Sequence, residues 1–489
     1  MKGLKNSIGK NIFHLLYSTV FASILNAGSL IILASVVTTD DYGKFSVVLA
    51  FAMIMAYLTE AGLNQIVLRE GAKKDAPISM IMASFMKLRM ILLIITLVVG
   101  FILINLMYRG ETEIIIISYL LILPLVTGIS MQSVSITYFQ MMEKMQYSGL
   151  VRITSASLLI SVILMSKWFS IDNMVIFFLY GFAYFLAGCL GIYLTVKTLK
   201  LPMKSPFYKG LRKQWGPFMF TGLLFILLPQ IGPIVLEQTL SWKEVGYFAV
   251  AYRIPQALQQ LPFIVAGAYF PVLFRLFEAG NYQQHLRMSI SQVKLMLLAG
   301  MMASIPFYHL ADFFITILFG DKWLEAAFLL KVLSLMMIFQ GGSIALGDGL
   351  TTKDLQIRRM AIQALAVVLG GLFYISFSEY YGLTGAVTAG VLIELLLLIG
   401  FLILHPDRQM LGRKAVIPYL VYFFISLLAV ELFLASFPFI ACIVHIILVL
   451  SLGGLDKEWR RKVQEFWKNI DYYHKWRSRL RKEVHDGTS

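Results

Sequence analysis

The stretch Asp41-Tyr42-Gly43-Lys44-Phe45-Ser46-Val47 returns 203 residues later in degenerate form, as Glu244-Val245-Gly246-Tyr247-Phe248-Ala249-Val250. An acid, a glycine, a phenylalanine and a valine occupy corresponding positions in the two stretches. Each stretch lies where one long apolar run ends and the next begins. The pair therefore predicts two similar halves that are built around similar turns.

Apolar runs of about twenty residues surround both turns and recur from Ile12 to Gly453. A helix needs about twenty apolar residues to cross a hydrocarbon core about 30 Å thick. The chain is 58% hydrophobic and 14% charged, whereas soluble domains average about 25% charged residues. We predict an all-α integral membrane protein with about fourteen transmembrane helices, arranged as two six-helix lobes plus a C-terminal hairpin.

The same offset carries the first predicted span onto the seventh and the third onto the ninth. Both halves run in the same direction, so we predict parallel repeats with a substrate site between them. The predicted units are an N-lobe at 1–196, a cytoplasmic linker at 197–213, a C-lobe at 214–405, spans thirteen and fourteen at 406–453, and a basic amphipathic cytoplasmic tail at 454–489.

Lysine and arginine accumulate on alternate connections between the predicted spans. Most of the 42 cations fall on the side that holds both termini, and the opposite connections contain Lys44, Arg109, Lys167, Lys243 and Lys322. By the positive-inside rule both termini are cytoplasmic. This topology and attraction to anionic membrane lipids explain the net charge of +15, and nucleic acid is not an expected partner.

The connections on the side opposite the termini are short and leave no room for a catalytic domain. Cys189 and Cys442 both fall within predicted spans, and the sequence contains no metal-binding spacing, P-loop or HExxH helix. We therefore expect a protein that is not an enzyme and has no catalytic residues, no metal site and no cofactor.

Three motifs give the chain a resemblance to a known family: the turn Thr39 to Phe45, the sequence Glu60-Ala61-Gly62-Leu63 at the end of span two, and Leu318-Phe319-Gly320 after span nine. With the two-lobed span order, they resemble the polysaccharide transporters. These are Wzx-type flippases of lipid-linked oligosaccharides, in the superfamily that also holds the multidrug and toxic-compound extrusion transporters.

The resemblance implies alternating-access movement of a polyprenyl-diphosphate-linked oligosaccharide from the cytoplasmic to the outer leaflet of the bacterial plasma (inner) membrane. The substrate class is a repeat unit of O-antigen, capsule or exopolysaccharide. The implied partners are this lipid-linked oligosaccharide, membrane lipids, and the polysaccharide polymerase and chain-length proteins.

Arg253, in span eight, is the main candidate for substrate binding. Charged groups inside a bilayer usually face a protein interior or a water-filled path, and a guanidinium matches phosphate oxygens bidentately. The alternatives are a structural pair with Glu237 or an interfacial anchor. Gln256, one turn later, can bind sugar hydroxyls or join helices.

Three further cations are candidates for the same substrate site. Arg152 and Lys294 open spans five and nine from the cytoplasm, where a headgroup enters, and the alternative is an ordinary positive-inside role. Lys331 lies about five residues inside span ten, where its stem can also extend to the interface.

Glu394 is the deepest acid, near the middle of span twelve, and is the main candidate for coupling transport to an H⁺ or Na⁺ gradient. A buried carboxylate takes up a proton more readily than an exposed one. Glu60 and Asp348 are further candidates nearer the span ends, where an arginine or a helix end can satisfy them instead.

Two other functions remain open from the sequence. A cation-coupled multidrug exporter favours acids over arginine in its cavity. A membrane-embedded glycan polymerase or glycosyltransferase needs catalytic residues on a sizeable outer loop, and the short loops argue against it.

Overall fold

A computed structural model describes residues 2–73, 75–199, 206–212 and 215–455 of the chain. These residues form helices joined by short turns, and no strand occurs among them. The predicted amphipathic tail, apart from its first two residues, and much of the predicted linker lie outside the described residues. The predicted boundaries of the lobes remain predictions.

The first half of the chain contains seven helices. They are α1 (Lys2–Val36), α2 (Thr39–Glu60), α3 (Leu63–Gly71), α4 (Ile78–Met107), α5 (Thr112–Met141), α6 (Met145–Phe169) and α7 (Asn173–Thr198). A single-turn 3₁₀ helix, Lys209–Arg212, lies in the connection to the second half.

The second half contains eleven helices. They are α8 (Trp215–Leu236), α9 (Trp242–Leu258), α10 (Gln260–Glu278), α11 (Tyr282–His309), α12 (Ala311–Phe319), α13 (Ala326–Ser334), α14 (Met336–Thr352), α15 (Gln356–Leu404), α16 (Arg408–Leu411), α17 (Ile417–Leu434) and α18 (Pro438–Leu455). Asp321–Trp323 forms a 3₁₀ turn and Gly412–Val416 a π-helical turn.

Twelve helical segments of the described chain are long and apolar enough to cross a membrane. The segment α15 contains two crossings, because Gly382 has a positive φ of 56° and bends the chain between them. The second crossing of α15 and the shorter apolar helix α18 raise the number from twelve to fourteen. The predicted fold class of an all-α membrane protein with about fourteen crossings is confirmed.

The helices pack into two groups. In the N-terminal group α5 packs on α7 and α1 on α6, and in the C-terminal group α11 packs on α14 and α15 on α8. Helix α2 crosses between the groups and contacts both α8 and α9. Helices α17 and α18 pack on each other and against α11. The boundary between the two lobes therefore runs along α2, α8 and α9.

Candidate functional site

The two repeat turns pack directly against each other at one end of the lobe boundary. A Cβ atom added at Gly43 would lie 2.0 Å from the carbonyl oxygen of Trp242, and one added at Gly246 would lie 2.3 Å from that of Thr39. The offset of 203 residues maps Gly43 onto Gly246 and Thr39 onto Trp242, so the two contacts are equivalent. Two helices can approach this closely only where glycine removes the side chain.

The repeated turns also begin their helices in the same way. The Thr38 side chain accepts a hydrogen bond from the backbone N–H of Asp41 (3.2 Å), and the Ser241 side chain accepts one from Glu244 (3.4 Å). Such N-caps satisfy donors that the first helical turn leaves open. Helices α2 and α9 are thus equivalent elements that cross at equivalent glycines.

Trp323 closes the same end of the boundary from the C-lobe. Its Nε1 donates to the carbonyl oxygen of Ala34 (2.9 Å). Its ring lies edge-on to Tyr42 and Tyr247, one from each repeat turn, with centroid distances of 5.4 and 5.9 Å. The adjacent Lys322 donates to two carbonyl oxygens at the end of α1 (2.6 and 3.2 Å). The end that contains both repeat turns is therefore closed by contacts between the lobes.

A hydrogen bond between the lobes lies beside these turns. The Tyr108 hydroxyl, after α4, donates to the carboxylate of Glu237, after α8. Burial raises the pKa of Glu237 to about 7, although the Tyr108 hydrogen bond opposes the shift. Glu111 raises the pKa further by charge repulsion. This carboxyl therefore titrates near neutral pH.

Arg253 lies on α9 about 17 Å from the start of the helix, on the face that meets the N-lobe. Its Nη1 donates to Oε1 of Gln256 (3.0 Å). Across the boundary it lies near Tyr42 of α2 and Tyr180 of α7. Within the described chain, its buried Nε has no hydrogen-bond partner and no carboxylate pairs with it. The alternative pairing with Glu237 does not form, because Glu237 bonds to Tyr108.

Two of the other predicted cations lie in the interior of their helices. Arg152 is half-buried on α6, and its Nε has no partner among the described residues. Lys294 is 6% exposed and lies about 18 Å into α11, which begins at Tyr282. Helix α11, with 28 residues, is longer than the roughly twenty residues that a crossing needs, so the position of Lys294 at the cytoplasmic entrance of its span stays a prediction. The helix starts eleven residues before the predicted span, because the Asn281 side chain accepts a hydrogen bond from the backbone N–H of Gln284 (3.3 Å) and caps it there.

Lys331 lies away from the lobe boundary. It forms an ion pair with Glu431 of α17 (3.0 Å), and its Nζ lies 4.6 Å from the centroid of the Tyr308 ring. These residues line a cavity of about 270 Å³ together with His309 and Asp312. Lys331 therefore joins α13 to the C-terminal hairpin, and Arg253 and Lys331 do not share one site.

The predicted acids differ in how they are paired. Asp348 accepts from Gln292 (2.9 Å) and lies 3.8 Å from Arg359. Glu60 lies 3.9 Å from Arg89. These two acids thus each have a cationic neighbour.

Glu394 is different from these two acids. It accepts a hydrogen bond from the amide of Gln340 (2.9 Å), and no cation pairs with it in the described chain. It also lies near Tyr252, the residue before Arg253. Among the predicted acids, Glu394 is the one that has only a neutral partner.

Arg89 is an interior cation that the sequence reasoning missed. It is 2% exposed and lies about 17 Å into α4, which begins at Ile78. It donates to the carbonyl oxygen of Ser130 (3.0 Å) and lies 3.9 Å from Glu60. Its place within an apolar run that continues to Met107 is the sequence signal that could have identified it as an interior cation.

The model of a family described as "polysaccharide biosynthesis protein" matches residues 8–277. No curated protein matches the chain. The family match covers the predicted N-lobe together with α8 to α10, and therefore includes both repeat turns and Arg253.

Several solved structures share the fold. A lipid II flippase, MurJ, in an inward closed conformation has a TM-score of 0.67 and 15% identity over 92% of this chain and 99% of that chain. An inward-facing MATE multidrug resistance transporter of the MOP superfamily has a TM-score of 0.68 and 14% identity over 81% of this chain and 96% of that one. An outward-facing MATE transporter has a TM-score of 0.59 and 17% identity, covering 83% and 96%.

Proposed function

The chain belongs to the polysaccharide biosynthesis protein family, and from this premise we propose that it is a flippase for polyprenyl-diphosphate-linked oligosaccharides. It is a multi-pass membrane protein with the fold of the MOP transporters. The resemblance to polysaccharide transporters that the turn motifs indicated is confirmed. The resemblance to a lipid II flippase supports a location in the bacterial inner membrane, and the concentration of cations on one side supports a cytoplasmic location of both termini.

The observation that carries the proposal is the environment of Arg253. It is a half-buried guanidinium at the lobe boundary, at mid-membrane depth, with no acid paired to it in the described residues. An uncompensated cation in the bilayer is costly, so such residues usually serve a ligand. A diphosphate supplies two negative charges and matches the donor geometry of a guanidinium.

The closed end of the boundary supports a direction of movement. The repeat turns, Trp323 and the Tyr108–Glu237 bond seal the end that the charge pattern assigns to the outside. In this arrangement the substrate enters from the cytoplasmic side. The headgroup binds near Arg253, and rearrangement of the lobes then opens the outer end while the lipid tail remains in the bilayer.

Coupling to an ion gradient is assigned to Glu394. This acid has a neutral partner, Gln340, and lies near the residue that precedes Arg253. Uptake of a proton or Na⁺ there changes the charge close to the binding cation. The same acid favours a second candidate function, cation-coupled export of drugs, because a cationic compound would seek an uncompensated carboxylate.

Deletion of the gene tests the proposal. Loss of the flippase should leave complete lipid-linked oligosaccharide units on the cytoplasmic leaflet, since synthesis continues without export. Units of normal length that reach the outer leaflet at the normal rate would contradict the proposal. Truncated glycans would indicate an enzyme, and increased drug sensitivity alone would indicate an exporter.

A further inference from the structure

An apolar groove lies on the outer surface of α15, between its two crossings. The groove has a volume of about 460 Å³. Its walls are Ile362, Leu365 and Phe373 from the first crossing and Leu392, Leu396 and Ile399 from the second. Leu365 and Ile399 are each 46% exposed, so the groove opens toward the surrounding lipid.

The length of the groove corresponds to one leaflet. From Leu392 to Leu404, the lining of the second crossing rises about 18 Å at 1.5 Å per residue. Half of a hydrocarbon core is about 15 Å thick. The groove ends at Ile403 and Leu404, at the turn that the charge pattern assigns to the cytoplasm. A single acyl chain of the cytoplasmic leaflet therefore fits along it.

Two arginines are fixed at this end of the groove. Arg358 donates from Nη1 to the carbonyl oxygen of Leu404 (3.0 Å), and Arg408 donates to that of Ile403 (3.4 Å). Both acceptor residues line the groove itself. Both arginines are exposed, and neither pairs with a carboxylate in the described chain. Their remaining donors are available to an anion that lies at the mouth of the groove.

The neighbouring groups do not cancel this charge. Asp407, next to Arg408, is paired with Lys353. Burial lowers the pKa of His405 to about 4, so its ring is neutral at physiological pH. The mouth of the groove therefore has a positive charge that comes from Arg358 and Arg408.

We propose that this groove is a binding site for an anionic phospholipid of the cytoplasmic leaflet, with one acyl chain between the crossings and the phosphate at Arg358 and Arg408. Basic pockets between membrane helices on the cytoplasmic side bind acidic headgroups. The site lies on the lipid-facing surface of the C-lobe and is separate from Arg253 at the lobe boundary. It does not depend on the proposed substrate.

Native mass spectrometry of the full chain, purified in detergent with equal amounts of phosphatidylglycerol and phosphatidylcholine, tests the site. The unmodified protein should retain phosphatidylglycerol preferentially. The double variant R358Q/R408Q should bind it more weakly, on the order of fivefold for each arginine removed. The groove-filling variant I399W should lose the lipid although it keeps both arginines, and its exposed position makes it tolerant of the larger ring.

The matched control is R275Q/R287Q, which removes two exposed arginines that neither line nor bond to the groove. Equal lipid loss in the control and in R358Q/R408Q would overturn the proposal, because the binding would then be unspecific. Unchanged binding in R358Q/R408Q would also overturn it. Displacement of the phospholipid by an added polyprenyl diphosphate at equal concentration would show a substrate groove instead, and a dimer held at this surface would show a protein interface.

Discussion

Arg253 determines the proposed function at the scale of a single residue. It donates to Gln256 of its own helix and lies near Tyr42 of the opposite lobe. Both neighbours are neutral, so we expect the guanidinium to keep its charge for a phosphate. Its neighbour Tyr252 lies near Glu394, and under the proposed function a charge change at Glu394 occurs close to Arg253.

Replacement of Arg253 should reduce transport much more than it reduces membrane level. We expect Arg253→Ala to lower the transport rate roughly ten- to a hundredfold, which corresponds to the free energy of one or two charge-assisted hydrogen bonds. Arg253→Lys should be intermediate, because it keeps the charge but loses the bidentate geometry. Complementation of a deletion strain measures the effect.

Arg109→Ala, at an exposed outer turn, is the control and should remain active. Full activity of Arg253→Ala would disprove the binding of phosphate by Arg253.

Glu237 should make closure of the outer end dependent on pH. Its pKa is about 7 in the closed arrangement, against an ordinary value of 4.5. The closed arrangement therefore binds the proton more tightly, and its stability falls as pH rises from about 4.5 to about 7. The distance between spin labels at Arg109 and Glu379 should report a closed population that falls several-fold between about pH 5.5 and about pH 8.

The variant Glu237→Gln separates this effect from other titrations. An amide keeps the hydrogen bond with Tyr108 but cannot ionise, so the closed population should be high at both pH values. A pH response of the same size in Glu237→Gln would assign the titration to another group.

At the scale of elements, we expect the crossing of α2 and α9 to control opening at the end that the charge pattern assigns to the outside. Each glycine lies opposite a carbonyl oxygen of the other helix, at distances that leave no room for a side chain. The equivalent N-caps at Thr38 and Ser241 fix where both helices begin, and therefore which residues meet at the crossing. The crossing is therefore formed by equivalent residues of both repeat turns, one from each lobe.

Gly43→Leu or Gly246→Leu should prevent the closed crossing. The added side chain overlaps a backbone carbonyl, which cannot rotate away as a flexible side chain can. We expect longer distances between the labels at Arg109 and Glu379 and a loss of transport. Gly267→Leu is the control, because no atom lies within 4 Å of its added Cβ. Unchanged label distances in both glycine variants would show that the crossing does not control the outer end.

Sequence reasoning could predict the elements better than the side-chain partners. Hydrophobic length gives the number of crossings, and the DYGKFSV repeat gives the equivalence of α2 and α9. The start of α11 at Tyr282 could not be predicted from hydrophobic length, because its first turns are polar and lie outside the apolar run. The partners of Asp348 and Lys331 come from other helices, Arg359 and Glu431, and only packing brings them together.

At the scale of the whole molecule, two groups of helices meet at a boundary that is closed at one end by the turns before α2 and α9. Rearrangement at such a boundary exposes the same site to the two sides in turn.

The orientation of the molecule is itself testable. Arg109 should lie outside the cell and Arg408 in the cytoplasm, because the cations concentrate on the side of Arg408. In a variant without Cys189 and Cys442, a membrane-impermeant maleimide added to whole cells should label a cysteine at Arg109 and not one at Arg408. Permeabilised cells should show labelling at both positions, and the reverse pattern in whole cells would invert the direction of transport.

The central claim is that this chain moves a lipid-linked oligosaccharide across the bilayer. The most direct measurement is the transfer of a labelled polyprenyl-diphosphate oligosaccharide between leaflets of proteoliposomes that contain only the purified protein. We predict that the unmodified protein transfers the label and that Arg253→Ala, reconstituted at the same density, transfers it roughly ten- to a hundredfold more slowly. Absence of transfer by the unmodified protein under an imposed H⁺ or Na⁺ gradient, or equal transfer by both proteins, would contradict the account.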